Sequence, residues 1–119
     1  MIENMTPRMN WASDAPRSEE VEQAVKVFGN RTSLGIIRHL SGVDRANYGA
    51  LCKALLVSEA AISTHLRALE AAAVIVGDLP AGERKGRSVN YSLDSERVRV
   101  LNDALLRYAL GSLGSDSAE

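Results

Sequence analysis

Aromatic residues are scarce in this 119-residue sequence, at 4%, so its core must be built from Leu, Ile, Val and Ala. Cysteine is nearly absent: Cys52 stands alone, which excludes an intrachain disulfide framework and agrees with a reducing compartment. No run approaches the roughly 18 consecutive apolar residues of a membrane span, and the N-terminus lacks the apolar region of a signal peptide. These two absences predict a cytoplasmic chain with no membrane partner. A Gly-rich phosphate loop, an activated nucleophile and a paired catalytic constellation are also missing, which ranks enzymes last among the function classes.

What is present fits one small domain. The chain is 45% hydrophobic and its net charge is −1. Charge is unevenly spread: Arg31 to Arg99 holds 10 Lys/Arg against 7 Asp/Glu, while the first 30 and last 20 residues are each net acidic. Residues 1–17, rich in Asn, Pro, Ser and Asp, lack periodicity and read as a flexible arm with Trp11 as its only anchor.

A helix is predicted from the N-cap Ser18, with Val21, Val25 and Phe28 as its apolar stripe and Gly29 as its stop. A second runs from Arg31 to Leu40, capped by Asn30, with Leu34, Ile37 and Leu40 inward and Gly42 closing it. Asp44 to Asn47 reads as a polar connector. A short third helix follows, with Tyr48, Leu51, Cys52 and Leu55 on one side. Ser58 then caps a fourth helix, 58–72, whose Ile62, Leu66 and Leu69 recur at i, i+4 and i+7. Beyond it the period drops to 2: Val89, Tyr91 and Leu93 alternate with polar residues, and Val74 to Leu79 is the antiparallel partner. The intervening PAGERKGR supplies turn residues and a basic tip. A last helix, capped by Asp94, turns Val98, Leu101, Leu105 and Tyr108 one way. The predicted domain is 18–111, followed by a flexible tail over 112–119.

The fold class is therefore mainly α with a β-hairpin, in the order ααααββα. Third and fourth helices joined by a short connector, then a hairpin, make a winged helix-turn-helix. An α-helix fits the major groove, where Ser and Thr reach base edges or phosphates and Arg bonds guanine bidentately; a basic hairpin lies along the backbone. Candidate DNA contacts are Ser58, Ala60, Ser63, Thr64, His65 and Arg67 on the fourth helix, and Arg84, Lys85 and Arg87 on the wing. The alternative for Ser63, Thr64 and Arg67 is the solvated face of a core helix, and for the three wing residues a solvated tip. Glu59 reads as a helix-dipole partner rather than a base contact. His39 reads as a partly exposed helix residue, and Cys52 as a small buried hydrophobe.

The runs ALCKALLVSEAAISTHLRAL and GRSVNYSLD resemble the helix-turn-helix and second wing strand of the ArsR-type winged-helix repressors, over about Val21 to Leu110. The resemblance implies a homodimer that presents two recognition helices to a pseudo-palindromic double-stranded operator and represses transcription, its first and last helices forming the interface. The interface candidates are then Val21, Val25, Phe28, Val98, Leu101, Leu105 and Tyr108; the alternative for the stripe of the last helix is that it simply packs on its own core.

The sequence also departs from that family. Of the third-helix Cys-x-Cys-x-x-Cys cluster of arsenic-sensing members only Cys52 remains, with Asn47 and Gly49 at the other two positions. The last helix offers Asp94, Glu96 and Asp103 but no His, where zinc-type members place His and carboxylate ligands. No cofactor, no metal site and no metal sensing by either route is expected. Ala72-Ala73 replaces the usual Ala-Gly at the end of the recognition helix, where a left-handed Ala costs roughly 1 kcal/mol, and the wing is longer than usual. Two other readings stay open: a winged helix serving as a protein-interaction or assembly module, and an architectural or plasmid-partition DNA binder. An effector or a protein partner also stays open.

Overall fold

The computed structural model describes Ser18–Gly111; the arm expected at 1–17, with Trp11, and the tail expected at 112–119 lie outside the described residues. Five helices and a small sheet follow one another as α1 (Glu19–Phe28), α2 (Arg31–Ser41), β1 (Ala46–Asn47), α3 (Tyr48–Leu55), α4 (Glu59–Ala71), β2 (Ile75–Gly77), β3 (Asn90–Leu93) and α5 (Ser95–Ala109). Each helix begins on a side-chain cap. Ser18, Asn30, Asn47, Ser58 and Asp94 accept the backbone N–H three residues on, at Val21, Ser33, Ala50, Ala61 and Arg97. Such a cap contributes about 1 kcal/mol and fixes where the helix starts. Gly29 and Gly42 end the first two helices as expected.

The architecture is a winged helix-turn-helix. Its core joins Ala24 and Val27 of α1, Ile36 and Leu40 of α2, Leu51 of α3, Ile62, Leu66 and Leu69 of α4, Val74, Ile75, Val89 and Tyr91 of the wing, and Leu101 of α5. The sheet is three-stranded, in the order β1-β3-β2 and wholly antiparallel. The hairpin is β2 with β3, which pair Ile75 with Leu93 and Gly77 with Tyr91. β1 corrects the sequence reading of 44–47 as a connector: Ala46 is buried and pairs with Tyr91. Two residues are too few to show a period of 2.

One further expectation changes. In α2 the inward stripe is Ser33, Ile36 and Leu40, while Leu34 is 45% exposed. Ile37 packs against the core as expected, and Ser33, although polar, is tolerated inside because a 3.3 Å hydrogen bond links its Oγ to Nδ1 of His65. α1 and α5 pack along each other within the chain. Val21 and Leu101 are buried in the subunit's own core, and Phe28, Val98 and Leu105 pack against it. Among the seven residues expected at a dimer interface, Val25 alone is exposed, at 53%.

The exit from α4 keeps its left-handed residue despite the missing glycine. Ala73 has φ of 64°, its N–H donates to Glu70 O at 2.9 Å, and Val74 N–H donates to Leu69 O at 3.0 Å. This paired closure satisfies two terminal carbonyls, and Val74 and Leu69 are both fully buried. A second non-glycine left-handed residue, Leu56 with φ of 56°, makes the turn between α3 and α4.

Candidate nucleic-acid interface

The position of α4 is set from behind. Ile62, Leu66 and Leu69 fill the core, so residues on the opposite side must face outward. Ala60, Thr64 and Arg67 are exposed and Ser63 is half-buried; their spacing of three and four places them on one face. Arg67 Nη2 donates to Ser63 Oγ at 3.2 Å, one turn back. Such an exposed contact is readily exchanged for another acceptor.

Other expected contacts are engaged within the fold. Ser58 Oγ accepts Ala61 N–H at 3.2 Å as the N-cap. His65 is half-buried beside Ser33 and joins α4 to α2. Tyr48, at the start of α3, donates its hydroxyl to Glu59 O at 2.6 Å and so ties together the first turns of the two helices of the helix-turn-helix. Sequence reasoning assigned Tyr48 only to the core.

The wing loop runs from Asp78 to Val89 and includes a 3-10 turn over Ala81–Glu83. Lys85 and Arg87 are exposed at its tip, and neither side chain has a hydrogen bond or ion pair with the described residues. Arg84 does not stand free beside them. Its Nη1 and Nη2 donate to Glu70 Oε1 and Oε2 at 2.8 and 2.7 Å, and its Nε donates to Leu79 O at 2.8 Å. The guanidinium carbon lies 5.9 Å from the ring centroid of Tyr91. The hydrogen bond to Glu70 holds the Arg84 guanidinium above its ordinary pKa, and burial raises the Tyr91 phenol.

At the base of the loop, Asp78 Oδ1 accepts Asn90 N–H at 3.0 Å and Oδ2 accepts the Asn90 side-chain amide at 3.2 Å. These bonds hold the Asp78 carboxyl below its usual range. Arg97, also missed in the sequence, joins three elements. Its Nε donates to Ala72 O at 2.9 Å just past α4, Nη2 donates to Gln23 of α1 at 2.8 Å, and Nη1 lies 3.6 Å from Glu20. The sequence signal for these residues is weak, since pairs 14, 74 and 77 positions apart meet only through the tertiary fold.

Among the described residues, no group of three or more His, Cys, Asp or Glu could hold a metal ion, and no helix is long and apolar enough to cross a membrane. Cys52 is half-buried against the core.

No family model and no curated protein matches the chain. Solved structures do. The AntR antimony-specific transcriptional repressor is 19% identical, with a TM-score of 0.55 over 92% of this chain and 97% of that one. NadR, solved in complex with 4-hydroxyphenylacetate, is 17% identical, with a TM-score of 0.50 over 92% of this chain and 79% of that one. Likeness at this identity shows a shared fold.

Proposed function

We propose that the chain is a dimeric, sequence-specific DNA-binding regulator, a transcriptional repressor, that reads the major groove with α4 and contacts backbone with its wing. The observation that carries this reading is the outward face of α4. Ala60, Ser63, Thr64 and Arg67 line it opposite a fully buried stripe, and a loop with unpaired Lys85 and Arg87 adjoins the same helix. Ser63, Thr64 and Arg67 are the base-reading residues and Ala60 allows close approach. Ser58, through its helix-capping turn, and His65, through its link to Ser33, support the reading helix. The fold shared with a protein described as a transcriptional repressor supports the same conclusion.

For the dimer, the apolar residues left open are Val25 of α1 and Val100, Leu106 and Leu110 in and just beyond α5. Leu106 and Leu110 lie four apart, on one side of the helix axis. A two-fold pair joined through these helices would set two copies of α4 about one DNA turn, roughly 34 Å, apart. Sedimentation of Leu106→Glu should show a monomer under conditions where the unaltered chain is a dimer. An antimony response like that named for AntR is not part of the proposal, because a single cysteine cannot supply a thiolate cluster within one chain.

The test is selection of bound genomic fragments at near-physiological salt. The unaltered chain should recover an inverted repeat, and the Ser63→Ala/Thr64→Ala/Arg67→Ala variant should lose it while remaining folded and dimeric. Retained preference would move the reading surface elsewhere. No enrichment by the folded, unaltered chain would favour a protein-interaction module, and enrichment without sequence preference an architectural role. Changing Lys85 and Arg87 to Ala should weaken binding to every fragment and flatten the salt dependence by about 2 in log-log slope.

A further inference from the structure

We propose that Glu70, Gly77 and Arg84 form a latch that fixes the aim of the wing, making Arg84 a positioning residue and an acidic side chain a promoter of DNA binding. This inference rests on the DNA-binding reading above.

The latch connects the two halves of the interface. Glu70 stands in the last turn of α4, and Arg84 belongs to the loop that carries Lys85 and Arg87. The pair is bidentate, and both side chains are only about a quarter exposed, at 24% and 25%. By contrast, the α5 pair Arg107–Asp103 is 76% and 59% exposed, the kind of surface contact that holds little in place. A bidentate guanidinium-carboxylate contact fixes direction as well as distance. With Nε also bonded to Leu79 O, the Arg84 side chain is fixed on three atoms. Arg87 N–H donates to Arg84 O at 3.0 Å, so the backbone of the tip is anchored to the same residue.

Gly77 makes the arrangement sterically feasible. It sits at the end of β2, where glycine sacrifices side-chain packing, and a Cβ there would lie 2.6 Å from Arg84 Nη2, 3.1 Å from Glu70 Oε2 and 3.1 Å from Cγ1 of the buried Val89. Any other side chain would push the guanidinium out of its seat. The atom that must move furthest ends a flexible side chain, while the Val89 methyl need give only slightly, so Gly77→Ala should break the latch and leave the chain folded, which urea denaturation of the variant checks.

A free phosphate ligand and a latch make opposite predictions for Glu70. If Glu70 is only a negative charge near DNA, neutralising it removes repulsion and tightens binding. If it holds the wing, neutralising it releases Lys85 and Arg87 from their aim and weakens binding. The experiment is fluorescence anisotropy with the fragment enriched above, over a salt series, on the full chain.

Glu70→Gln should weaken binding by about 5-fold, and Gly77→Ala, which alters no charge, should do the same. Arg84→Lys, which keeps a cation but loses the bidentate fork, should also lose affinity rather than retain it. In a Lys85→Ala/Arg87→Ala background each of these losses should shrink towards nothing, a non-additivity that a general loss of stability would not produce. Tighter or unchanged binding by Glu70→Gln, or full affinity in Arg84→Lys, overturns the latch while leaving the DNA-binding reading intact. Failure of the unaltered chain to bind any fragment at low salt overturns both.

Discussion

α4 is held in place by Ile62, Leu66 and Leu69, all buried, whereas the wing loop touches the core only at its ends, through Leu79 and Val89, and the geometry between them rests on Arg84, Asp78 and their partners. Burial of three aliphatic side chains contributes several kcal/mol and resists rotation of the helix, at about 1.5–3 kcal/mol each. The wing instead has a few polar contacts whose net contribution to stability is small but whose geometry is specific. One surface thus combines a helix whose position is coupled to global folding with a loop whose position can be altered almost independently of it; on the proposed function these are the reader and the backbone clamp.

Breaking the first region should unfold the protein. Leu69→Ala removes a fully buried side chain of the core cluster, and urea denaturation should show a loss of about 2–5 kcal/mol. A loss below 1 kcal/mol would mean that α4 is not fixed by burial. Arg97→Ala addresses the seam behind it: Ala72 O, just past α4, loses its side-chain donor and Gln23 of α1 loses its bond to α5. The same denaturation should register about 1–3 kcal/mol.

The smaller effects sharpen the contrast. Ala73→Gly removes the strain of a left-handed Ala but loosens the unfolded chain, and thermal melting should show a net gain of about 0.5 kcal/mol. A loss would mean that the Ala73 methyl contributes packing worth more than the strain it carries. At the wing, Asp78→Ala should have a pH-dependent effect of fixed sign. The Asp78 carboxyl is lowered in the folded state, so its contribution is fully present above the ordinary carboxylate value of about 4 and disappears as pH falls through the lower folded value. The small difference in melting temperature between the two proteins should therefore shrink on acidification; growth would reverse the assignment.

The same division governs what the sequence made legible. The apolar period over Ile62, Leu66 and Leu69, the caps Ser18, Asn30, Ser58 and Asp94, and the change of period at Val89–Leu93 are local signals, and the structure has the corresponding elements there. In α2 Leu40 is buried and Ile37 packs against the core as expected, but Leu34 is exposed and Ser33 is buried in its stead, because a serine satisfied by His65 was not recognisable as a core residue. The apolar stripes of α1 and α5 marked surfaces that need covering without revealing that much of the cover comes from the same chain, as it does for Val21 and Leu101. Arg84 was legible as a charge and not as a partner, since Glu70 approaches it only once the hairpin has formed and only because residue 77 is glycine.

The most direct test of the account is methylation interference on the enriched fragment, which separates the grooves chemically. Methylation of guanine at N7 blocks the major-groove edge, and methylation of adenine at N3 blocks the minor-groove edge. If the outward face of α4 reads the operator, N7 methylation at guanines within each half-site should prevent binding, and at one of them Arg67→Ala should remove the sensitivity. Interference confined to adenine N3, or sensitivity at every guanine unchanged in Arg67→Ala, would contradict the assignment of α4 as the reader.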